Sequence, residues 1–346
     1  MSHRTLLAVD GNSLLHRSFH ATARSGFRTP DGRPMWAVRG LLSQLVAAVD
    51  RCCADAVVVG FDDPVDSVRR ERWPGYKAQR DPKPASLEQQ LDAAVEVLRG
   101  LGVVVAVPPG LEADDVLASA AAYARSIGVR AVLATSDRDS FSLIDDNTRM
   151  LRILNGGVDA SPMLDPRRLA MVTGVRPEQY LDLAALRGDA SDNLPGVPGI
   201  GPKTAARLLA EFGSAGPAFD DAAGEGARCR AALGRSVTAT LGAARAREVW
   251  ESNRAVMTMR SDAHLGGLDL LDGVGRLPLA EVDVRRTFTL LDLHVPTAVR
   301  ALTGREPTPP APGDADASWR PPRQRAMRFP PLPRPPEPVS VQDTLF

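Results

Sequence analysis

Net charge is the first thing this 346-residue chain lacks: 42 Lys and Arg are matched by 42 Asp and Glu. Such a balance excludes a general basic excess of the kind phosphate binding usually shows, so any surface for nucleic acid must come from segregated charge. Cysteine is scarce. Cys52 and Cys53 are adjacent and Cys229 is distant, which gives neither a disulfide framework nor paired Cys-x-x-Cys metal spacing and reads as small buried residues in a reducing cytosol. Long apolar runs are missing: the N-terminus, MSHRTLLAVDGNS, has an apolar run of only four residues before Asp10, and nothing approaches the roughly 20 needed to cross a bilayer. A cytoplasmic protein without export signal or membrane anchor is expected. The five histidines show no ligand spacing, and no Ser/His/Asp grouping, GxxxxGK[ST] loop or Rossmann glycine fingerprint is present. Lysine is nearly absent, since only Lys77, Lys83 and Lys203 stand among the 42 cations. Arginine replaces lysine at most surfaces, but not where a compact point charge is needed.

What is present is an alternation. Short β-branched runs, LLAVD, AVVVGFD (56–62), VVVAVP (103–108) and AVLATSD (131–137), are separated by helical stretches such as SLEQQLDAAVEVLRGLG, where Leu87, Leu91, Val95 and Leu98 recur at helical spacing. The strands are near-continuous apolar runs. That predicts an α/β domain with a mostly parallel sheet covered by helices on both faces. At 44% hydrophobic content the chain is long enough for two packed domains. From about 181 to 303 the pattern is wholly helical with no clear strand run, and after Arg305 proline density and scarce apolar residues predict a disordered tail over 306–346.

Three strands end on acids: Asp10, Asp62 and Asp137. Parallel sheets gather ligands at the carboxyl ends of their strands, so these carboxylates are expected along one edge. Glu112, Asp114 and Asp115 follow in GLEADDVLAS, Asp139 in SDRDS, and Asp189 and Asp192 in RGDASDNLPG. Glu112 and Asp115, three apart at a helix start, are expected to share a face. Acids at a helix start also suit the positive end of its dipole, which is the plain structural explanation for any one of them. Together they would repel one another in a single cleft unless cations held them. Oxygen ligands without His or Cys point to Mg²⁺ or Mn²⁺. Nine carboxylates exceed one octahedral ion but suit two ions about 4 Å apart, the arrangement that serves phosphodiester hydrolysis.

Between Asp62 and Ser86 the pattern breaks into DDPVDSVRRERWPGYKAQRDPKPAS, carrying Arg69, Arg70, Arg72, Lys77, Arg80 and Lys83. This is too long for an ordinary connection and is either a functional lid or a linker. The segment GVPGIGPKTAARLL reads as a phosphate grip, in which Gly196, Gly199 and Gly201 permit close backbone approach and the helix start after Pro202, with Lys203 and Thr204, offers free N–H groups to an anion.

These stretches, DGNSLLHRSFHA, GFDDPVDSVRRERWPGYKAQR, GLEADDVLAS, ATSDRDSFSL and GDASDNLPGVPGIGPKTAARLL, resemble in order and spacing the successive motifs of the 5′-nuclease family, the flap endonucleases and 5′→3′ exonucleases also found at the front of bacterial DNA polymerase I. The match runs over about residues 5–300. The resemblance implies a PIN-like nuclease domain over 1–180 with a basic arch at about 63–86, a helical DNA-binding region over 181–305 built on a helix–three-turn–helix element, and a monomer acting on branched or 5′-flap DNA in replication and repair. Carried over by position, Asp10, Asp62, Glu112, Asp114, Asp115, Asp137, Asp139, Asp189 and Asp192 are its metal ligands. Lys77 and Arg80 meet the scissile phosphate, Arg17 and Arg69 contact the DNA strand, and the Gly199–Gly201 loop holds a potassium ion. The chain carries no polymerase domain after residue 305 and closes on VQDTLF, whose Gln342, Leu345 and Phe346 resemble the bacterial sliding-clamp-binding peptide. Two rival readings are a non-catalytic structure-specific DNA-binding protein and a PIN-type ribonuclease.

Overall fold

The apolar runs become strands because successive residues face opposite sides of a sheet that is covered on both. The computed structural model describes residues 4–291 and 296–304. In it, β1 (Thr5–Asp10), β2 (Ala56–Gly60), β3 (Val104–Ala106), β4 (Arg130–Thr135), β5 (Thr148–Arg152) and β6 (Met163–Leu164) form a sheet of order β3-β2-β1-β4-β5-β6, with β6 antiparallel to β5 and the other pairs parallel. Along β1, Leu7 and Val9 face one core while Leu6 and Ala8 face the other, all wholly buried. Each buried Leu or Val contributes on the order of 1.5–3 kcal/mol, so the central strand alone is a large share of the stability of this sheet.

The first face is covered by α1 (Gly11–Thr22), α2 (Trp36–Cys52) and, beyond the short α3 (Val68–Arg72), by α4 (Ala85–Gly100). The opposite face is covered by α5 (Ala113–Ser126), through Val116, Leu117, Ala120 and Ala124, and by Leu268 and Leu270 of a later segment. The expectation of helices on both sides holds. On α4 the buried stripe differs from the one expected: Leu87 and Leu98 are buried, but Leu91 and Val95 only partly. The stripe runs instead through Gln90, Ala94 and Val97. Gln90 is tolerated there because its Oε1 accepts from the Ala37 N–H at 2.7 Å and its Nε2 donates to the Ser86 carbonyl at 3.1 Å.

After α6 (Pro166–Thr173) the chain is helical: α7 (Pro177–Arg187), α8 (Pro202–Phe212), α9 (Ala215–Ala223), α10 (Ala227–Leu233), α11 (Arg235–Leu241) and α12 (Ala244–Met257). They enclose a core including Tyr180, Leu183, Leu208, Leu209, Phe219 and Trp250, which continues into Phe141, Ile144 and Met150 of the sheet domain. Three features differ from the sequence expectation. A two-residue hairpin, β7 (Gly188–Asp189) against β8 (Leu194–Pro195), interrupts the helices. The helical core begins with α7 at Pro177, ahead of residue 181. The last two helices among the described residues, α13 (Glu281–Leu290) and α14 (Pro296–Thr303), do not extend the helical region; Val284, Phe288 and Leu302 return to the first core beside α2 and α4. Amphipathic helices look alike in sequence whichever core receives them, so periodicity could not assign these two.

Cys229 is buried, and Cys52 and Cys53 are half-buried. Among the described residues no helix is long and apolar enough to cross a membrane. The tail over 306–346, with Gln342, Leu345 and Phe346, lies outside the described residues.

Candidate active site

Each acid is delivered by an element whose end it occupies. Asp10 closes β1 and caps α1, where one carboxylate oxygen accepts the Ser13 N–H at 2.8 Å and the other accepts from Thr135 Oγ1 at 2.7 Å. Asp62 follows β2. Its oxygens accept from Asn12 Nδ2 and from the Ala113 N–H, both at 2.9 Å, which ties β2, α1 and α5 together. Asp137 follows β4 and accepts the Asp139 N–H at 3.0 Å, so the loop sets one acid against the next. Asp114 stands on the first turn of α5 with Ser140 Oγ 3.3 Å from its Oδ1.

Asp189 and Asp192 come from the helical side, on the β7–β8 hairpin. Gly188 has φ +73°, and a Cβ on Gly196 would fall 2.1 Å from the Arg187 carbonyl oxygen, so the two strands approach as closely as they do because neither position carries a side chain. Asp189 accepts from the Ser191 N–H and hydroxyl at 2.8 and 2.7 Å.

Mutual repulsion links the acids to one another. Burial pushes the Asp10 carboxyl up to about 7, reinforced by Asp62 and Asp137 against the hydrogen bonds from Ser13 and Thr135. Burial likewise carries Asp139 up to about 7, with Asp137, Asp189 and Asp192 adding to it. Asp114 is raised well above the usual carboxylate range by burial, then by Asp137, Asp10 and Asp139, with Lys77 opposing. Asp62 and Asp192 are raised too, burial first in both. Asp10, Asp62, Glu112, Asp114, Asp137, Asp139, Asp189 and Asp192 thus form one connected set that spans both halves of the molecule. A cleft of about 960 Å³ lies against it, lined by Asp137, Arg138, Arg187, Asp189 and Asn193 among others.

The basic segment lies on this set. Lys77, in a left-handed conformation at φ 55°, donates through Nζ to Glu112 Oε2 at 3.0 Å, and Tyr76 OH donates to the same oxygen at 3.0 Å. Arg80 pairs with Asp192 at 2.5 Å, the Lys77 N–H donates to the Asp192 carbonyl at 3.0 Å, and Asn193 Nδ2 donates to the Gly75 carbonyl at 2.7 Å. Lys83 is exposed.

Two residues are placed elsewhere than expected. Asp115 is wholly buried and both its oxygens are held by Arg69 at 2.7 Å. Arg69, expected at a DNA strand, has its guanidinium turned inward, with 12% of the side chain exposed. At 3.6 residues per turn, neighbours on a helix point about 100° apart, so Asp114 and Asp115 cannot serve the same cleft equally. Arg17 is half-buried and donates to Asn155 Oδ1 at 3.0 Å. Gly199 takes φ +73°, Gly201 precedes α8, and Lys203 is exposed on its first turn beside Thr204. The sequence reading missed a layer of neutral partners: Asn12, Ser13, Thr135, Ser136 and Ser140. Their signal was adjacency to the acids in DGNS, TSD and RDS.

The donor set is all oxygen, which fits a hard divalent cation. Among the described residues no three His, Cys, Asp or Glu side chains already close on one point as a formed metal cage; the acids raise one another's carboxyls instead, and Asp137 and Asp189 line the cleft. Asp10 has no ion-pair partner among the described residues, and a buried carboxylate in that condition is stabilised by a cation. The residues fit the group.

The N-terminal, resolvase-like domain of the 5′-3′ exonucleases matches residues 5–171, and their C-terminal SAM fold matches residues 175–270. DNA polymerase I of Mycobacterium tuberculosis is 40% identical over 210 residues, covering 61% of this chain and 23% of that protein. The thermostable DNA polymerase I of Thermus aquaticus is 42% identical over 209 residues, covering 60% and 24%. The chain therefore spans about a quarter of the polymerases it matches. Among solved structures, the zinc-bound 5′-exonuclease of phage T5 has a TM-score of 0.59 at 23% identity, over 73% of this chain and 89% of that one. The T5 flap endonuclease in a pseudo-enzyme-product complex with DNA and metal ions has a TM-score of 0.58 at 21% identity, over 84% and 100%. These two show a shared fold. With both domains of the family matched in order and over most of its length, the chain belongs to the 5′-3′ exonuclease family.

Proposed function

We propose that this protein is a structure-specific 5′→3′ exonuclease and flap endonuclease that hydrolyses DNA phosphodiester bonds with two Mg²⁺ or Mn²⁺ ions, in the removal of flaps or primers during replication and repair. The observation that carries the reading is the set of eight mutually repelling acids drawn from both halves of the chain. Asp10, Asp62, Asp114, Asp137 and Asp139 would hold metal from the sheet edge, and Asp189 and Asp192 from the hairpin, with Glu112 beside them. Bound there, the ions would activate a water and stabilise the leaving oxygen. Lys77 and Arg80 stand where a phosphate entering the acidic cleft needs positive charge. Tyr76 and Glu112 fix the Lys77 ammonium there. Thr135 and Ser13 hold the Asp10 carboxylate in one orientation.

The α8 start is the duplex grip in this reading: Lys203 and Thr204 with the free N–H groups after Gly201 meet phosphate, and the Gly199–Gly201 turn supplies carbonyls for potassium. Arg17 lies along the single strand. The Gln342, Leu345 and Phe346 peptide is the anchor to a sliding clamp, which raises the local concentration of enzyme at its substrate. The relatives of known structure carry divalent metals and DNA, in keeping with the reading.

The test is a 5′-labelled flap DNA in Mg²⁺, with an EDTA control and an RNA flap of the same sequence. Cleavage near the junction that leaves a 5′-phosphate, lost in EDTA, is expected. Binding without cleavage would instead leave a DNA-binding protein, and cutting of the RNA flap alone a ribonuclease.

A further inference from the structure

Asp115 has no free lone pair. Its Oδ1 accepts from Arg69 at 2.7 Å and from the Arg260 backbone N–H at 2.8 Å. Its Oδ2 accepts from Arg69 at 2.7 Å and from the Glu112 backbone N–H at 3.0 Å. A carboxylate offers about four acceptor sites, so four N–H donors saturate it. It is also 0% exposed.

The donors come from three places. Arg69 belongs to α3 in the basic segment, Glu112 caps α5, and Arg260 lies on the strap that leaves α12. The same guanidinium reaches further, with Nε donating to the Val256 carbonyl at 3.0 Å and one terminal nitrogen 3.3 Å from Glu112 Oε2. One turn along α5, Ser119 Oγ donates to the Asp115 carbonyl at 2.7 Å and accepts the Ala263 N–H at 2.9 Å. Arginine suits this place because its planar fork meets both carboxylate oxygens at once while its Nε remains for a third partner, which a lysine could not do.

We propose that Asp115 is a positioning residue rather than a metal ligand: with Arg69 it rivets the basic segment and the strap after α12 to the start of α5, and so sets Lys77 and Glu112 at the acidic cleft. The inference rests on the nuclease reading for its kinetic consequence, while its structural content is independent of that reading. Release of the rivet frees α3, and Lys77, eight residues on, loses its fixed approach to Glu112. Displacement of a catalytic group by about 1 Å costs on the order of 100-fold in turnover.

The experiment compares Asp115→Asn, Arg69→Gln, the double variant and Asp137→Ala in the full chain. Trypsin cleavage after Arg70 and Arg72, Mn²⁺ binding by calorimetry and flap turnover are read for each. Both single variants are expected to open the segment to trypsin and to lower turnover on the order of 100-fold, chiefly in kcat. The double variant is expected to be no worse than either single change, because both remove one interaction. Asp115→Asn keeps its Mn²⁺ binding, whereas Asp137→Ala loses it. Should Asp115→Asn fail to fold, Arg69→Gln alone decides: unchanged protection and unchanged turnover overturn the proposal. Loss of Mn²⁺ binding in Asp115→Asn, with Arg69→Gln behaving as the unaltered chain, overturns it equally. If the unaltered protein cuts no flap, the nuclease reading fails while the trypsin and Mn²⁺ readouts still decide the rivet.

Discussion

Replacing Asp10 by Asn is expected to stabilise the metal-free protein at neutral pH while it destroys metal binding. The Asp10 carboxyl is 5% exposed and is pushed from 3.8 up to about 7, first by burial and then by its acidic neighbours. A carboxyl raised on folding gives stability that is complete below its unfolded value and is lost as pH rises through its folded value, so the loss falls between about pH 4 and 7. Moving it from 3.8 to about 7 amounts to about 4 kcal/mol at about 1.36 kcal/mol per decade, and relaxation with water entry leaves ~2 kcal/mol. Asn keeps the shape: its oxygen accepts the Ser13 N–H and its amide faces Thr135 Oγ1. In EDTA at pH 8 the variant is expected to melt ~4–8 °C above the unaltered chain, and at pH 5 the gap narrows. Mg²⁺ raises the melting point of the unaltered chain, by binding the native state, and leaves the variant nearly unmoved. A melting point at pH 8 equal to or below that of the unaltered chain, or an advantage of the same size at pH 5, would refute the reasoning.

Three further outcomes follow from the same geometry. Asp137→Ala is expected to bring flap cleavage down to the EDTA background while gel-shift affinity for the flap in Ca²⁺ persists; retained turnover in Mg²⁺ defeats the assignment. Lys77→Met removes the ammonium held by Glu112 and lowers kcat on the order of 100- to 1,000-fold, with a circular-dichroism spectrum unchanged; an effect confined to KM contradicts its place at the scissile phosphate. Gly196→Ala puts a methyl against the Arg187 carbonyl and costs about 1–3 kcal/mol, read as a lower urea midpoint together with weakened metal affinity, because the hairpin carries Asp189 and Asp192.

Much of this was legible in the sequence, and for a physical reason. The four runs that became β1 to β4 are buried on both faces, so they are apolar throughout and stand out. β5 was missed because TRMLR carries two arginines; Arg152 is buried with its guanidinium 5.4 Å from the Phe141 ring centre, a contact that no local pattern announces. The acids were visible as residues but not as partners. Spacing alone could not separate Asp114 from Asp115, since the Arg69 that claims Asp115 lies 46 residues earlier. The return of α13 and α14 to the first core was hidden likewise, because Val284 and Phe288 give the same apolar face for either destination.

The central claim is that acids from the sheet edge and from the hairpin share divalent ions. Crystals soaked in Mn²⁺ and measured at the manganese edge test it most directly. The account predicts two anomalous peaks about 4 Å apart within reach of Asp10, Asp62, Asp114, Asp137, Asp139, Asp189 and Asp192, and none at Asp115. Manganese bound away from those carboxylates, or no peak in protein that cuts a flap, would contradict it.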